Sequence, residues 1–193
     1  MRGQSEQQLI NLLKLAFSAE LAAAYAYRGH WHSVSDPEEK LRIKKIEDEE
    51  LHHRKLVGEM LALLKSRPSR AKEFRAAIIG KGLALFCHLS FWLAPMYGAG
   101  RLESRNICEY ENAARHARDS GHDSFVECLL TMAEVEWEHE CYFRSRVASH
   151  WFGSKLKLWA RPPAKETIRE SFARESGELV GSLDKPELAE LAR

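Results

Sequence analysis

Glutamate and histidine recur three residues apart at three places in this sequence. The pairs are Glu49-x-x-His52, Glu50-x-x-His53 and Glu136-x-x-His139. On a helix this spacing brings a carboxylate and an imidazole to one face, one turn apart, so that both can reach the same metal ion. A single pair of this kind arises often by chance, so the residues around it decide whether it can form a site.

The residues around two of these pairs predict that the pairs face a protein core. Glu50 and His53 continue an apolar stripe whose members are three or four residues apart, and so do Glu136 and His139. The first stripe contains Ile43, Ile46, Val57, Met60 and Leu64, and the second contains Phe125, Leu129, Met132, Phe143 and Val147. Burying a charge costs on the order of several kcal/mol unless it is paired or bound to a metal. Both pairs therefore require a partner.

Two further glutamates lie on apolar stripes of other helical segments. Glu20 is the only acid in the interior of the first segment, and Glu103 lies in the third. The stripe of Glu20 contains Leu13, Phe17, Ala24, Tyr27 and Trp31, and that of Glu103 contains Met96, Ala99, Ile107, Tyr110 and Ala114. Each of these two helices is therefore predicted to supply one carboxylate to the core.

Two competing glutamates are set aside because their stripes are polar. Glu49 shares its stripe with His52, Arg42, Lys45 and Glu59. Glu109 shares its stripe with Arg105, Asn106, Asn112 and His116. A stripe of this composition is typical of a solvated helix face.

The ligand spacing occurs twice along the chain. Glu20 precedes Glu50 by 30 residues and Glu103 precedes Glu136 by 33, and each half reads as one glutamate followed, one helix later, by Glu-x-x-His. Two helical hairpins related by an approximate two-fold axis would bring the six groups together. Carboxylates and imidazoles favour iron or manganese over structural zinc. The predicted metal ligands are Glu20, Glu50, His53, Glu103, Glu136 and His139, and the alternative is a metal-free network of buried hydrogen bonds.

Four long helices must position these residues. The pattern predicts the first helix over about 6–31 and the second from Asp36-Pro37 to just before a turn at 66–69. The third helix has an ambiguous start and ends near residue 120, and the fourth covers about 123–150. Asp36 can cap a helix that has proline at its first position, and no alternation typical of strands appears. We expect an all-α, up-down four-helix bundle in residues 1–152, with a crossover between its second and third helices. A C-terminal tail with short helices would follow in 153–193.

Two segments have a composition that allows membrane contact. Residues 82–100 contain no charged residue, but their glycines and Pro95 disfavour a spanning helix. This segment is expected either to be buried as the start of the third helix or to enter one leaflet. Residues 151–161 mix aromatic and basic side chains, which suits either a membrane interface or a tail that packs on the bundle.

Overall composition is that of a globular protein. The chain has 193 residues, a formal net charge of +1 and 45% hydrophobic residues. The lack of a basic excess argues against nucleic-acid binding. The four cysteines form no C-x-x-C pair, which predicts reduced thiols. No signal-peptide pattern is visible at the polar start of the chain, so we expect a cytoplasmic protein, with peripheral attachment to the inner face of a membrane as a further option.

Residues 9–152 resemble the ferritin-like diiron-carboxylate family, and within it the demethoxyubiquinone hydroxylases of ubiquinone biosynthesis. The resemblance is carried by residues 19–25, 50–53 and 66–69, by Leu102-Glu103 with Tyr110, and by residues 136–139. It implies the same six ligands and two iron ions, with a Mn/Fe pair as the alternative. It also implies a monooxygenase-type oxidoreductase that uses O2 and an external electron donor to hydroxylate an apolar, quinone-like substrate. By analogy, the uncharged segment would approach the membrane and the chain would form a homodimer.

The sequence also departs from this family and leaves other functions open. Glu109 stands where the family has a histidine before the tyrosine of the third helix, and the tail after His150 has no counterpart. A rubrerythrin-like peroxide reductase is a second hypothesis, although it usually has a C-x-x-C pair. A ferroxidase or iron-storage protein is a third. Tyr27, Tyr110 and Trp137 lie near the ligands, where they could tune the site or serve as core aromatics.

Overall fold

Helices are the only regular secondary structure in the described residues, which confirms the all-α part of the predicted fold class. The computed structural model describes the backbone of residues 2–190 and the side chains of 2–153 and 155–177. The helices are α1 (Arg2–Ser33), α2 (Pro37–Leu63), α3 (Arg70–Leu89), α4 (Leu93–Ser120), α5 (Asp123–Ser149) and α6 (Lys165–Glu190), with a 3-10 turn at Gly153–Lys155. The four cysteines are all free, as expected.

Local chemistry accounts for several helix ends. Asp36 accepts hydrogen bonds from the backbone N–H groups of Glu38 and Glu39, at 2.8 and 3.0 Å, and Pro37 occupies the first helical position of α2. This is the start predicted from the sequence. The helix α4 ends at Ser120 and is capped by Gly121, which has a φ of 80° in the left-handed region that glycine tolerates best.

The uncharged segment 82–100 is divided between two helices. The helix α3 ends at Leu89, and α4 begins at Leu93. Pro95 falls in the first turn of α4, where a backbone N–H has no intrahelical acceptor and its loss costs little. The start of α4 was ambiguous in the sequence because both flanking segments are apolar, so no change of composition marks the break.

The polar residues predicted as ligands lie between two apolar clusters that occupy opposite ends of the molecule. The first cluster includes Leu9, Leu13, Val57, Met60, Ile107, Phe125 and Leu129. The second includes Tyr27, Ile43, Ile46, Met96, Phe143 and Val147. The order of these residues shows that α1 and α5 run from the first cluster to the second, whereas α2 and α4 run in the opposite direction.

The connection from α2 to α4 crosses the length of the molecule as the helix α3, which packs against α1. Gly80 lies so close to α1 that an added Cβ would be 2.6 Å from the Ala22 carbonyl oxygen. An added Cβ at Gly29 would likewise be 2.4 Å from the Cα of Ala84. These two contacts advance along both helices together, so α3 runs parallel to α1. The sequence predicted a crossover here but not that it forms a 20-residue helix.

The helix α3 leaves an apolar surface uncovered. Large hydrophobic side chains on or just after it are exposed, namely Phe74, Ile78, Leu85, Leu89 and Phe91. Among the described residues, only α1 is long and apolar enough to cross a membrane, with a mean hydropathy of 1.3 over its best window. Core helices of soluble proteins meet the same criterion, and α1 directs Glu20 into the core.

The C-terminal tail packs on α4 and α5. Trp159 lies against Gly100, and its indole Nε1 donates to Glu140 Oε1 at 2.6 Å. Trp137 Nε1 donates to the Pro163 carbonyl oxygen at 2.7 Å, so this aromatic residue holds the tail. The tail contains one 26-residue helix, α6, where short helices were expected. Ile168 of α6 is buried in the first cluster, a long-range contact that sequence periodicity did not reveal.

Candidate metal centre

The six residues predicted as ligands come together between the two apolar clusters. Glu20 comes from α1, Glu50 and His53 from α2, Glu103 from α4, and Glu136 and His139 from α5. None of the six is more than 3% exposed. The apolar stripes explain this placement, because each of these residues continues the buried face of its helix.

The six side chains form two overlapping groups of four. The first quartet is Glu20, Glu50, His53 and Glu136, and the second quartet is Glu50, Glu103, Glu136 and His139. In each quartet one ligand atom per residue lies within 4.8 Å of all the others. Each quartet could hold a metal ion, and Glu50 and Glu136 belong to both. Sequence reasoning left open which carboxylates are shared.

Both histidines present Nδ1 to the carboxylates. His53 Nδ1 is 3.0 Å from Glu136 Oε1 and 4.0 Å from Glu20 Oε1. His139 Nδ1 is 3.2 Å from Glu50 Oε1 and 3.8 Å from Glu136 Oε2. A lone pair on each of these nitrogens could therefore reach an ion held among the same oxygens.

Several buried polar atoms in the two quartets lack a hydrogen-bond partner among the described residues. They are both carboxylate oxygens of Glu50, Oε2 of Glu20 and Nδ1 of His139. An unpaired buried carboxylate is destabilising because it has lost its hydrogen bonds to water and forms no hydrogen bond within the protein. Cations placed among these atoms would satisfy them, so the donor set fits a metal centre better than a closed hydrogen-bond network.

The ionisation behaviour of the cluster shows how crowded its charges are. Burial, together with the charge of Glu50, raises the pKa of Glu20 well above its usual value. Burial and the charge of Glu136 do the same to the pKa of Glu103. Without a cation, protons must therefore neutralise part of the cluster.

The pKa values of Glu136 and of the two histidines shift in the direction opposite to the one that burial alone would produce. Burial opposes ionisation of Glu136, but its contacts with His139 and His53 outweigh burial and hold its pKa well below the usual value. Burial likewise opposes protonation of the histidines, yet contact with Glu136 raises the pKa of both. The metal-free centre is thus expected to pair an ionised Glu136 with protonated imidazole.

Two tyrosines hold the unshared glutamates in a crossed pattern. The Tyr27 hydroxyl donates to Glu103 Oε1, and the Tyr110 hydroxyl donates to Glu20 Oε1. Each tyrosine is seven residues after the glutamate of its own helix and contacts the glutamate of the other. The crossing arises because α1 and α4 are antiparallel and side chains on a helix lean toward its N-terminus. Both tyrosines therefore lie against the centre rather than in a remote core.

Glu49 is closer to the centre than its charged stripe predicted. Its Oε2 lies 2.8 Å from His139 Nε2, the nitrogen opposite the one that faces Glu50. Its side chain is only 25% exposed and also approaches Lys45 at 3.1 Å and Arg42 at 3.6 Å. Burial alone would raise the pKa of Glu49, but the contacts with His139 and Lys45 lower it to about 2.

The prediction that Glu49 faces solvent is therefore wrong in part. The residue lies at the edge of the helix face, where a long side chain reaches past its own helix to α5. A metal-binding histidine commonly donates its second N–H to a carboxylate. This rule could have identified Glu49 from the sequence, because it predicts a carboxylate close to a buried metal-binding histidine.

A cavity of about 270 Å³ lies between α1, α3 and α4 and reaches the centre. Most of its lining is apolar and includes Ala16, Ile79, Leu83, Phe86 and Leu102. The polar residues of its wall include Glu20, Glu103, Tyr27 and Tyr110, which belong to or contact the quartets. A small apolar molecule in this space would lie directly beside the candidate metal ligands.

Glu109 also lines this cavity, outside both quartets. It is half-buried, and burial raises its pKa although Arg105 acts in the opposite direction. The choice of Glu103 over Glu109 as the candidate ligand of α4 agrees with the membership of the second quartet.

Comparison of the chain with protein-family models, with curated proteins and with solved structures gives no significant match.

Proposed function

We propose that the protein is a ferritin-like diiron monooxygenase that hydroxylates an apolar, quinone-like molecule, as demethoxyubiquinone hydroxylases do. The observation that carries the proposal is the pair of buried quartets that share Glu50 and Glu136. A shared pair of carboxylates between two unshared Glu-His sets suits two neighbouring cations better than one.

The helix arrangement supports a ferritin-like bundle. Two antiparallel hairpins, α1–α2 and α4–α5, surround the quartets, and α3 carries the chain back between them. In ferritin-like dimetal proteins, two helices supply one glutamate each and the other two supply Glu-x-x-His. Here α1 and α4 carry the single glutamates, whereas α2 and α5 carry the motifs.

The donor set favours iron, with a Mn/Fe pair as the alternative. Glu20 and His53 would hold one ion, Glu103 and His139 would hold the other, and Glu50 and Glu136 would contact both. When bound, the two ions would supply the activation of O2 and its transfer to the substrate, using electrons from an external donor. The surrounding residues keep the ligands oriented through the hydrogen bonds of Tyr27, Tyr110 and Asn106.

The apolar cavity favours a hydroxylase over peroxide reduction or iron storage. Neither of those reactions needs an apolar space beside the metals, whereas a hydroxylase must hold its substrate there and exclude water. The helix α3 lines the cavity with Ile79, Leu83 and Phe86, and these side chains are exposed together with Phe74 and Ile78. An apolar substrate could enter from a membrane on which this exposed apolar surface of α3 rests, which suits a cytoplasmic protein attached peripherally.

Hydroxylation can be tested with the full chain loaded with ferrous iron. The protein would be mixed with a reductant, ¹⁸O2 and a short-chain demethoxyubiquinol analogue. We expect two irons per chain and a product that carries one ¹⁸O atom, with the other oxygen released as water. Glu50→Ala should abolish product, whereas Glu59→Ala, an exposed acid of the same helix, should leave it unchanged.

Other outcomes would replace the proposal. Peroxide consumption without a hydroxylated product would indicate a rubrerythrin-like reductase. Iron oxidation by a large hollow oligomer would indicate storage, whereas a homodimer is expected here. Protein that retains no transition metal after growth in iron-rich medium would overturn the diiron centre itself.

A further inference from the structure

The end of the cavity away from the first cluster contains an unpartnered histidine. His30 lines the cavity, is 2% exposed, and its Nε2 has no hydrogen-bond partner among the described side chains and backbone. Its ring stacks in near-parallel fashion on Tyr27 and Phe143, with centroid distances of 6.5 and 6.0 Å. None of the six candidate metal ligands is among these contacts.

A purely structural role does not account for this histidine. Leaving a buried donor or acceptor unsatisfied costs about 1–3 kcal/mol. Phenylalanine could stack on the same two rings without this cost. The imidazole therefore has a polar nitrogen in an apolar wall, where an occupant of the cavity could satisfy it.

The charge state of His30 limits what that occupant can be. Burial lowers the pKa of His30 to about 4, so the ring is neutral near pH 7. A neutral imidazole can donate or accept one hydrogen bond at Nε2, depending on its tautomer. It offers no charge to attract a carboxylate or a phosphate, and the apolar lining of the cavity would remove water from either anion at a high cost. A carbonyl or hydroxyl oxygen is the best match.

The position of His30 suggests the size of the occupant. Its ring centroid is 6.5 Å from that of Tyr27, whose hydroxyl reaches Glu103 of the second quartet. One ring-sized molecule could therefore contact His30 with one edge and lie beside the metal ligands with the other.

We propose that His30 Nε2 forms a hydrogen bond with a neutral carbonyl or hydroxyl oxygen of a ring-shaped apolar molecule in the cavity. The inference rests on the proposed function, since it specifies how the same cavity recognises its substrate. His30 is a specificity-determining residue in this view, and the metal ligands do not depend on it.

The test compares two probes that differ by one oxygen. The ketone 1-tetralone and the hydrocarbon tetralin would be titrated by calorimetry into the iron-loaded full chain without O2. The wild-type preference is the ratio of its affinity for 1-tetralone to its affinity for tetralin, and it serves as the reference because the carbonyl also reduces the apolar area that the ketone buries. In His30→Phe this preference should fall by about threefold to tenfold, the range expected for one hydrogen bond, with tetralin binding retained.

Two further variants separate recognition from packing. His30→Gln keeps a donor and should retain part of the preference even if the phenylalanine variant folds poorly. His32→Phe alters an exposed histidine of the same helix and should retain the full preference for 1-tetralone. An unchanged ratio in both His30 variants, or failure of the wild-type protein to bind either probe, would overturn the inference. Iron content measured on the same samples reports separately on the diiron proposal.

Discussion

The two quartets repeat one ligand pattern but have different surroundings. In the second quartet, Glu103 accepts hydrogen bonds from Tyr27 and Asn106. The Nε2 atom of His139 contacts the carboxylate of Glu49. In the first quartet, Glu20 accepts one hydrogen bond from Tyr110, while its other oxygen has no partner among the described residues.

The sequence shows why these supports are unequal. Asn106 follows Glu103 by three residues, and the corresponding position after Glu20 is Ala23. Glu49 precedes Glu50, and the corresponding residue before Glu136 is Val135. The repeat therefore preserves the ligands but not the residues that orient them. We expect the second quartet to hold its ion more tightly, because its ligands lose less freedom on binding.

The largest effect should come from removing a shared carboxylate. Glu50→Ala is expected to weaken both ions, because Glu50 belongs to both quartets, whereas Glu20→Ala should affect one. Elemental analysis would then give close to no iron for Glu50→Ala and about one iron per chain for Glu20→Ala. If Glu50→Ala retained one tightly bound iron, the sharing of this residue would be disproved.

Acidification should weaken metal binding at both quartets. The pKa values of Glu20, Glu103, His53 and His139 are all raised, so the metal-free centre holds protons that an incoming ion must displace. Affinity should therefore fall as pH falls, by about tenfold per pH unit for each displaced proton.

Calorimetry in buffers with different heats of ionisation would count the released protons. Each quartet contains one glutamate and one histidine whose pKa is raised, so both binding steps should release protons. Binding without proton release between pH 6 and 8 would contradict this description of the metal-free centre.

Loss of Glu49 should act on one ion alone. Glu49→Ala removes the carboxylate on His139 Nε2 and should lower the affinity of the second quartet by about 10- to 100-fold. The first quartet should be unaffected, so the affinities of the two binding steps would move closer together or reverse their order in a ferrous iron titration. Asp48→Ala, which alters an exposed neighbouring acid, is the control. Equal weakening of both steps would show that Glu49 does not act through His139.

The smallest effect on metal affinity is expected from replacing either of the two tyrosines. Tyr110→Phe should weaken the ion of the first quartet by about threefold to tenfold, because Glu20 loses one hydrogen bond. Tyr27→Phe should have less effect on the second quartet, because Asn106 still donates to Glu103 at 2.9 Å. Competition with a chelator of known affinity would measure both. A larger loss in Tyr27→Phe would reverse the order of support inferred here.

The sequence by itself determined the features that depend on local periodicity. The stripes of three- and four-residue steps identified the faces that carry Glu50, His53, Glu136 and His139, and the Asp36-Pro37 start is a local cap. The single acids Glu20 and Glu103 followed from the same rule. A buried stripe that contains an acid is informative because burial is costly unless the charge is satisfied.

Only the tertiary structure decided the features that depend on neighbours distant in sequence. The sharing of Glu50 and Glu136, the crossed tyrosines and the contact of Glu49 with His139 all join different helices. Periodicity predicts the face of the helix on which a side chain lies. It does not predict which residues of other helices that side chain contacts. For the same reason, the crossover appeared as an apolar segment in the sequence, and its identity as a helix that closes a cavity emerged only from its packing against α1.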